Sequence, residues 1–196
     1  MLGYIKKIIW IKTIPFLAVW FLFAACNNNY KPKPRGYNHI NFPTTSYENV
    51  FIKKKYSFDK NTLAKLNIND SLGWLNLLYN KYGAEVLVTY KPIYKKSDLS
   101  DYINESYKLI NQHNKKAASI KETFIKTTKG VDAVIIELTG DVPTQFQFIT
   151  TDSVNHFLRG ALYFETATKN DSLAPIIEYI KKDMIHILNT LRWNEK

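Results

Sequence analysis

The feature that most constrains the fold is a block of short β-prone segments in the second half of the chain, joined by connections of hairpin length. Each segment alternates apolar and polar residues or is apolar throughout, as strands with a buried face do. The segments are Ile120–Lys126, Val131–Leu138, Gln145–Thr150 and Phe157–Phe164. Lys129-Gly130 and Gly140-Asp141 supply turn residues. Connections this short cannot hold a crossover helix, so the block predicts an antiparallel sheet.

Three segments in the first half also have β character. Val50–Phe58 is β-prone and rich in Lys and Tyr, and Leu72–Tyr79 is apolar enough to form either a strand or a short helix. Ala84–Tyr90 is predicted as a strand because its side chains divide between two faces. One face carries Val86, Val88 and Tyr90, and the other carries Glu85, Leu87 and Thr89.

Two segments have the spacing of an amphipathic helix. The first runs from Asp98 to about Asn114, with Leu99, Tyr102, Ile103, Ser106, Tyr107 and Ile110 on one face. The second has a longer apolar stripe, formed by Leu173, Ile176, Ile177, Ile180, Met184, Ile187, Leu188 and Leu191. Asp171 or Ser172 can cap the second helix, which would place Pro175 in its first turn, where a missing N–H is tolerated.

This order of elements predicts an α+β fold. A mostly antiparallel β-sheet would have two main helices packed on it, in a small sandwich that resembles the PsbP/Mog1 type by element order. A length of 196 residues fits one domain of ordinary size.

The N-terminus has the pattern of an export signal. Lys6, Lys7 and Lys12 precede the uncharged, mostly apolar run Ile14–Ala25, as in the positive and apolar regions of a signal peptide. About a dozen apolar residues are short for a membrane span, which needs roughly 20. A run that starts at Ile8 and tolerates Lys12 would be longer, so an uncleaved membrane anchor is the alternative.

Cys26 is the single cysteine of the chain. The sequence Leu22-Phe23-Ala24-Ala25-Cys26 resembles the bacterial lipobox, in which the cysteine thiol receives a diacylglycerol and the signal is cut just before it. The alternative is a chance cysteine at the end of an apolar anchor. A single cysteine also excludes a disulfide framework within the chain and a zinc site built on several thiolates.

The residues after Cys26 predict an extended tether. Pro32, Pro34, Arg35, Gly36 and Tyr37 shape it, because proline disfavours helix at its own position and at the residue before it. The tether is either a spacer or a segment that a partner holds as an extended strand. We therefore divide the chain into a lipoprotein signal peptide (1–25), a lipidated N-terminus with a proline-rich tether (26–46) and a single α+β domain (47–196).

The sequence contains no recognisable catalytic or metal-binding constellation. His39, His113, His156 and His186 show no metal-ligand spacing, and phosphate-binding glycine motifs and a nucleophile elbow are absent. Asp152, Ser153 and His156 are close in sequence, but we interpret them as a capped turn, and His186 as a packing residue. Trp193 is interpreted as a packing anchor at the end of the last helix. We predict no enzyme activity, no metal and no cofactor other than the acyl groups on Cys26.

The formal net charge of +10 bears on partners. It can attract anionic lipid, peptidoglycan or an acidic protein, or it can simply reflect dispersed, solvated lysines. Nucleic acid is not expected, because the chain is predicted to be exported and has only three arginines.

Several strings together resemble one known family. They are Tyr30-Lys31-Pro32-Lys33-Pro34-Arg35-Gly36-Tyr37, Gln145–Ser153, His156–Phe164, Asp171-Ser172-Leu173-Ala174-Pro175 and Thr190-Leu191-Arg192-Trp193. On these residues the chain resembles the GldD family of gliding-motility lipoproteins of the Bacteroidetes, over most of its length after Cys26.

The resemblance implies a cell-envelope lipoprotein that is needed for gliding and is linked to the type IX secretion and gliding machinery. It implies no catalytic residues. It marks Phe157, Leu158, Arg159 and Gly160 as a contact strand, although a core strand with one buried or edge arginine is the alternative. Gly160 in mid-strand suggests a bulge or a close backbone approach. The family also occurs in bacteria that do not glide, so a broader secretion or envelope role is compatible with it.

Three readings follow. The first is a non-catalytic lipoprotein of the gliding machinery, anchored in the outer membrane and facing the periplasm, because Asn27–Tyr30 lack the acidic cluster that often marks surface export in this group. The second is a periplasmic enzyme or peptidoglycan-binding module that affects motility indirectly. The third is a membrane protein with an uncleaved anchor.

Overall fold

Strands and helices follow one another in the order that the periodicity predicts. The computed structural model describes residues 40–112, 116–164 and 170–194, and its fold is α+β with antiparallel pairing throughout the described strands. The strands are β1 (Tyr47–Ile52), β2 (Tyr56–Asn61), β3 (Lys65–Asn69), β4 (Trp74–Tyr79), β5 (Ala84–Pro92), β6 (Ala117–Lys126), β7 (Asp132–Gly140), β8 (Phe146–Thr151), β9 (His156–Phe164) and β10 (Arg192–Trp193). The helices are α1 (Lys96–Asn111), α2 (Asn170–Thr190) and a 3-10 turn, Asn80–Tyr82. The predicted fold class is confirmed.

A seven-stranded sheet has the order β3-β4-β5-β9-β8-β7-β6. The predicted β block forms its second half as a meander, β6 to β9, and β9 then pairs with β5 along nine residues, from Ala84 opposite Phe164 to Pro92 opposite His156. The segment Leu72–Tyr79, which the sequence left open between strand and helix, forms strand β4.

A second sheet has three strands in the order β1-β2-β10. The predicted single run Val50–Phe58 is in fact two strands, because the chain reverses through three lysines between them, with Lys54 in the left-handed region at φ 58°. Strand β10 adds only two residues, Arg192 opposite Ser57 and Trp193 opposite Tyr56. The sequence analysis predicted neither β3 nor β10.

The main core lies between one face of the large sheet and a layer made of α2 and the small sheet. Alternate residues of β4, β5 and β9 point into it, and the apolar stripe of α2 packs against them. Each fully buried Leu, Ile or Phe side chain stabilises the fold by about 1.5–3 kcal/mol. The fully buried members include Tyr56, Phe58, Leu77, Val86, Phe148, Leu158, Leu162, Ile180, Met184 and Leu188.

A smaller core lies on the opposite face of the large sheet, under α1. Helix residues Leu99, Tyr102, Ile103 and Tyr107 pack on Ile136, Leu138, Ile149 and Phe157 of strands β7 to β9. The start of α1 is fixed by Asp98, whose carboxylate accepts hydrogen bonds from the backbone N–H groups of Tyr94 and Lys95 at 3.0 and 2.9 Å. These bonds hold the pKa of Asp98 below its ordinary value.

Candidate interaction surfaces

The predicted contact strand lies in the middle of the large sheet. Strand β9 pairs with β5 on one side and β8 on the other, so its backbone is already hydrogen-bonded along both edges. Phe157 and Leu158 are 2% and 0% exposed, and Gly160 is buried. Arg159 is half-buried, and the other three residues of Phe157–Gly160 are buried. A partner of the folded domain would therefore contact this strand segment through Arg159.

Arg159 forms a polar pair with Gln147 on the neighbouring strand. Its Nη2 donates to Oε1 of Gln147 at 2.5 Å, and Gln147 is fully buried. Within the described part of the chain, Nε of Arg159 and Nε2 of Gln147 have no hydrogen-bond partner. Both nitrogen atoms are buried from solvent, so a ligand at the surface does not reach them in this conformation.

Gly160 is required by close packing. The ring of Phe148 on β8 lies over it, so a Cβ atom at this position would stand 2.3–2.9 Å from ring carbons. Pairing of β9 continues without a register shift through Gly160. Of the two interpretations of this glycine, the close approach is therefore the one that the structure contains.

The Asp152–His156 segment is a capped turn, as predicted. One carboxylate oxygen, Oδ1 of Asp152, accepts the backbone N–H groups of Val154, Asn155 and His156 at 2.8–2.9 Å. Burial tends to raise the pKa of Asp152, but these donors hold it below its ordinary value. The imidazole of His156 hydrogen bonds through Nδ1 to the hydroxyl of Tyr90 at 2.9 Å. The carboxylate of Asp152 thus caps the turn, while Nδ1 of the imidazole bonds to a tyrosine hydroxyl.

A buried polar network surrounds Asp183 of α2, which is 2% exposed. Its Oδ2 accepts hydrogen bonds from Asn61 at 2.8 Å and Tyr79 at 3.0 Å, and its Oδ1 accepts one from Tyr47 at 3.2 Å. Burial raises the pKa of Asp183, and the hydrogen bonds oppose that shift. Desolvation of the Tyr47 hydroxyl, together with the nearby carboxylate, raises the pKa of Tyr47 to about 12. The network ties β1, β2 and β4 to α2; its carboxylate is buried, while Tyr47 is 39% exposed.

The first described residues pack on α2. The ring of Phe42 stacks on Tyr179 with a centroid distance of 4.4 Å, and Ile40 contacts the same core. Tyr47 stacks on His186 at 3.6 Å, which confirms the predicted packing role of His186. Ile40 and Phe42 belong to the segment 26–46 that we predicted as tether, so packing begins before residue 47.

Trp193 stacks on His156 at 5.2 Å, with an interplanar angle of 4°. The predicted packing role is confirmed, but the indole belongs to strand β10 and not to the helix end.

Among the described residues, two surface cavities lie beside the helices. The larger, about 390 Å³, is almost wholly apolar and lies between α1 and strands β6 to β8, where Ile103, Tyr107, Phe124, Val134 and Ile149 line it. The smaller, about 250 Å³, lies between α2 and β7, next to the ion pair of Lys181 and Glu137. Phe124 at the larger cavity is 78% exposed.

Other predicted sites lie outside the described residues. They are Cys26 and the tether residues Pro32, Pro34, Arg35, Gly36 and Tyr37. His39 and His113, to which no site was assigned, lie outside them as well. Within residues 40–112, 116–164 and 170–194, no group of three or more His, Cys, Asp or Glu side chains could hold a metal ion. In those same ranges no helix combines the length and the apolar character that crossing a membrane requires.

The chain thus forms a small antiparallel α+β sandwich whose buried polar side chains mostly bond to other parts of the fold. The sequence profile of the family "Gliding motility lipoprotein GldD" matches residues 27–193. The chain therefore belongs to the GldD family of gliding motility lipoproteins, and the predicted resemblance is confirmed.

Comparison with solved structures finds the solution structure of cyanobacterial PsbP (CyanoP) from Synechocystis sp. PCC 6803. It is 11% identical, covers 80% of this chain and 98% of that chain, and has a TM-score of 0.46. No curated protein matches the chain.

Proposed function

We propose that this protein is a lipid-anchored component of the cell envelope that is required for gliding motility and acts with the gliding and type IX secretion machinery. Its role is to bind other envelope proteins, without catalysis. The observation that carries the proposal is the family match, which spans residues 27–193 and begins directly after Cys26.

The lipid anchor is Cys26. More than one acyl chain on this cysteine gives stable membrane attachment, at about 0.8 kcal/mol per buried methylene. The absence of acidic residues from Asn27 to Tyr30 favours retention on the periplasmic side of the outer membrane. Antibody or protease accessibility of the domain on intact cells tests this orientation, and access from outside would contradict it.

The side-chain chemistry of the domain supports a binding role. Asp183 is enclosed by three hydrogen-bond donors, and Asp152 is used to cap a turn. Neither carboxylate is presented to a substrate as a general acid or base would be. By contrast, Arg159 and the residues around the larger cavity reach the surface.

A peptidoglycan-binding module is the second candidate. The observation that favours it is the partial exposure of the Arg159 side chain, because wall peptides carry carboxylates, which a guanidinium binds strongly. Co-sedimentation of the purified protein with peptidoglycan tests this reading. Retention that is lost in Arg159→Ala would favour wall binding over the protein-binding proposal.

The first experiment is deletion of the gene in the native host, scored by movement of single cells on glass. Cells that stop moving, and recover with the wild-type gene, would support the motility role. Secretion of type IX cargo is measured in the same strains, which separates a defect in secretion from a defect in movement. Deleted cells that still glide would contradict the proposal.

A further inference from the structure

Strand β6 forms an open edge of the large sheet. It is ten residues long and pairs only with β7 among the described strands. The adjoining turn reveals which backbone groups are free, because the N–H of Thr127 donates to the carbonyl of Val131 at 2.9 Å. In an antiparallel ladder such bonded positions recur at every second residue. Odd-numbered residues of β6 therefore face β7, and the N–H and C=O groups of the even-numbered residues from Ile120 to Lys126 point outward.

The same even-numbered residues carry a symmetrical pattern of side chains. They lie on the sheet face that α1 partly covers, as the hydrogen bond from Tyr107 to Glu122 at 2.9 Å shows. Phe124 is 78% exposed beside the apolar cavity. An acid, Glu122, stands two residues before it, and a base, Lys126, stands two residues after it.

This pattern is complementary to itself. When two copies of an antiparallel strand pair about a two-fold axis at Phe124, the two phenylalanines face each other, and Glu122 of each copy lies opposite Lys126 of the other. Glu122, Phe124 and Lys126 are all positions whose backbone N–H and C=O groups point outward. The backbone hydrogen bonds between the two copies and the ion pairs therefore form in the same register. We propose that two copies of this chain associate through β6 in this register, which joins their large sheets into one continuous sheet.

Charge selects this register over its neighbours. An axis at Glu122 would place the two glutamates opposite each other, and like charges directly opposite are destabilising. An axis at Thr123 would place Glu122 opposite Phe124 and leave the ion pairs unmade. Lysines on an edge strand normally discourage pairing with other strands. On β6, Lys126 disfavours pairing with any strand that does not carry an acidic residue opposite it.

The charged groups can make these contacts by changing exposed ones. Glu122 accepts the hydrogen bond from Tyr107 through Oε2, which leaves Oε1 for Lys126 of the second copy. Lys126 and Asp132 lie 3.7 Å apart, with side chains about 70% exposed, and an exposed pair of this kind is weak enough to rearrange. Backbone hydrogen bonds between the two β6 strands stabilise the dimer. The Phe124 side chain of each copy also covers apolar surface next to the cavity that it lines. The partner is therefore a second copy of this chain.

The test is sedimentation equilibrium of the full chain in density-matched detergent. We expect a dimer for the wild type. Glu122→Lys and Lys126→Glu should each weaken the dimer about tenfold or more, because each replaces two attractive cross-strand pairs with two repulsive ones. A mixture of the two variants should form a heterodimer, since each strand then carries the charges that complement the other.

Lys65→Glu is the matched control, because it reverses a charge on β3 at the opposite edge of the sheet. It should leave the dimer unchanged, and thermal unfolding of each variant confirms that the domain is folded. A monomeric wild type would overturn the proposal. So would a dimer that resists both reversals, or variants that fail to associate when mixed.

Discussion

Arg159 is the predicted contact residue that the fold leaves accessible. Because its charged side chain is partly exposed, we expect Arg159→Ala to impair gliding while the amount of folded protein changes little. The measurement is single-cell movement together with immunoblots of the complemented deletion strain. Thr89→Ala is the control, since Thr89 pairs with Arg159 on β5 but carries no charge. Loss of soluble protein in Arg159→Ala would indicate a structural role.

Gly160 makes a second prediction at this scale. Gly160→Ala should lower the free energy of unfolding by about 1–3 kcal/mol, because the added methyl overlaps the ring of Phe148. Urea unfolding measures the loss. The double variant with Phe148→Leu should recover part of it relative to the sum of the single changes. An additive pair would show that the ring is not the cause.

Asp183 should make stability depend on pH in an unusual direction. Its folded-state pKa is raised above the ordinary 3.8, so the folded state binds more protons than the unfolded state between the two pKa values. The stabilising contribution is complete below the unfolded-state pKa and is lost as the pH rises through the folded-state pKa. We expect the stability difference between wild type and Asp183→Asn to fall from acidic to neutral pH in urea titrations.

Asp152→Asn is the matched comparison for that titration. The pKa of Asp152 is lowered in the fold, so its contribution is present above the unfolded-state pKa and is lost as the pH falls through the folded-state pKa. The two difference curves should therefore slope in opposite directions. A flat curve for Asp183→Asn would contradict the effect of burial.

Single residues differed in how far the sequence could predict their roles. The Asp152 turn was predictable because its donors lie within four residues along the chain. The Asp183 network was not, because its partners Tyr47, Asn61 and Tyr79 are more than a hundred residues away. In the sequence Asp183 is one polar residue beside an apolar stripe, and nothing local distinguishes it from a solvated aspartate.

At the scale of elements, long periodic segments were predicted within a few residues of their bounds. Polar or short strands were not. Strand β3 has the sequence KLNIN, which alternates polar and apolar residues, but it is only five residues long and mostly exposed, so it offers just two apolar positions as a signal. The turn between β1 and β2 is built from lysines, which carry no turn signal.

The start of α2 was also predicted imperfectly. Because the helix begins at Asn170, Pro175 is inside the helix and not in its first turn, so the prediction about its position is wrong. A proline there removes one backbone donor from the helical ladder. The apolar stripe of α2 packs on the main core along the helix after this point, and this packing holds the helix despite the missing bond.

Strand β10 yields a prediction for an element. Trp193→Ala should lower the free energy of unfolding by about 2 kcal/mol, because the indole stacks on His156 and belongs to the strand that pairs with β2. Chemical denaturation measures it. Phe51→Ala is the control, since that ring is 62% exposed and its loss should change stability by no more than about 0.5 kcal/mol. Equal effects would mean that β10 does not secure the small sheet.

At the scale of the whole molecule, the family and the fold class were predictable, because distinctive strings and periodic segments extend over most of the chain. The open edge of β6 was not, since strand order in a sheet depends on pairings between distant segments. The sequence marked Ile120–Lys126 as a strand, but it could not show that this strand has only one neighbour among the described strands.

Cys26 gives the prediction that concerns the complete protein. Labelled fatty acid should enter the wild type and not Cys26→Ala, because the thiol is the proposed acceptor of the lipid. Intact-mass measurement of the wild type should find the chain without residues 1–25 and with the added acyl groups. An unlabelled wild type that retains those residues would instead identify an uncleaved anchor.

Strand β2 lies between β1, the first strand in the sequence, and β10, the last strand that the structure describes. Tyr56 and Trp193, paired across this sheet, are separated by most of the domain sequence. A chain synthesised from its N-terminus cannot complete the small sheet until residues 192–193 have been made. Closure of this sheet is therefore a late event in folding, and a chain truncated before residue 192 leaves β2 without one of its two neighbours.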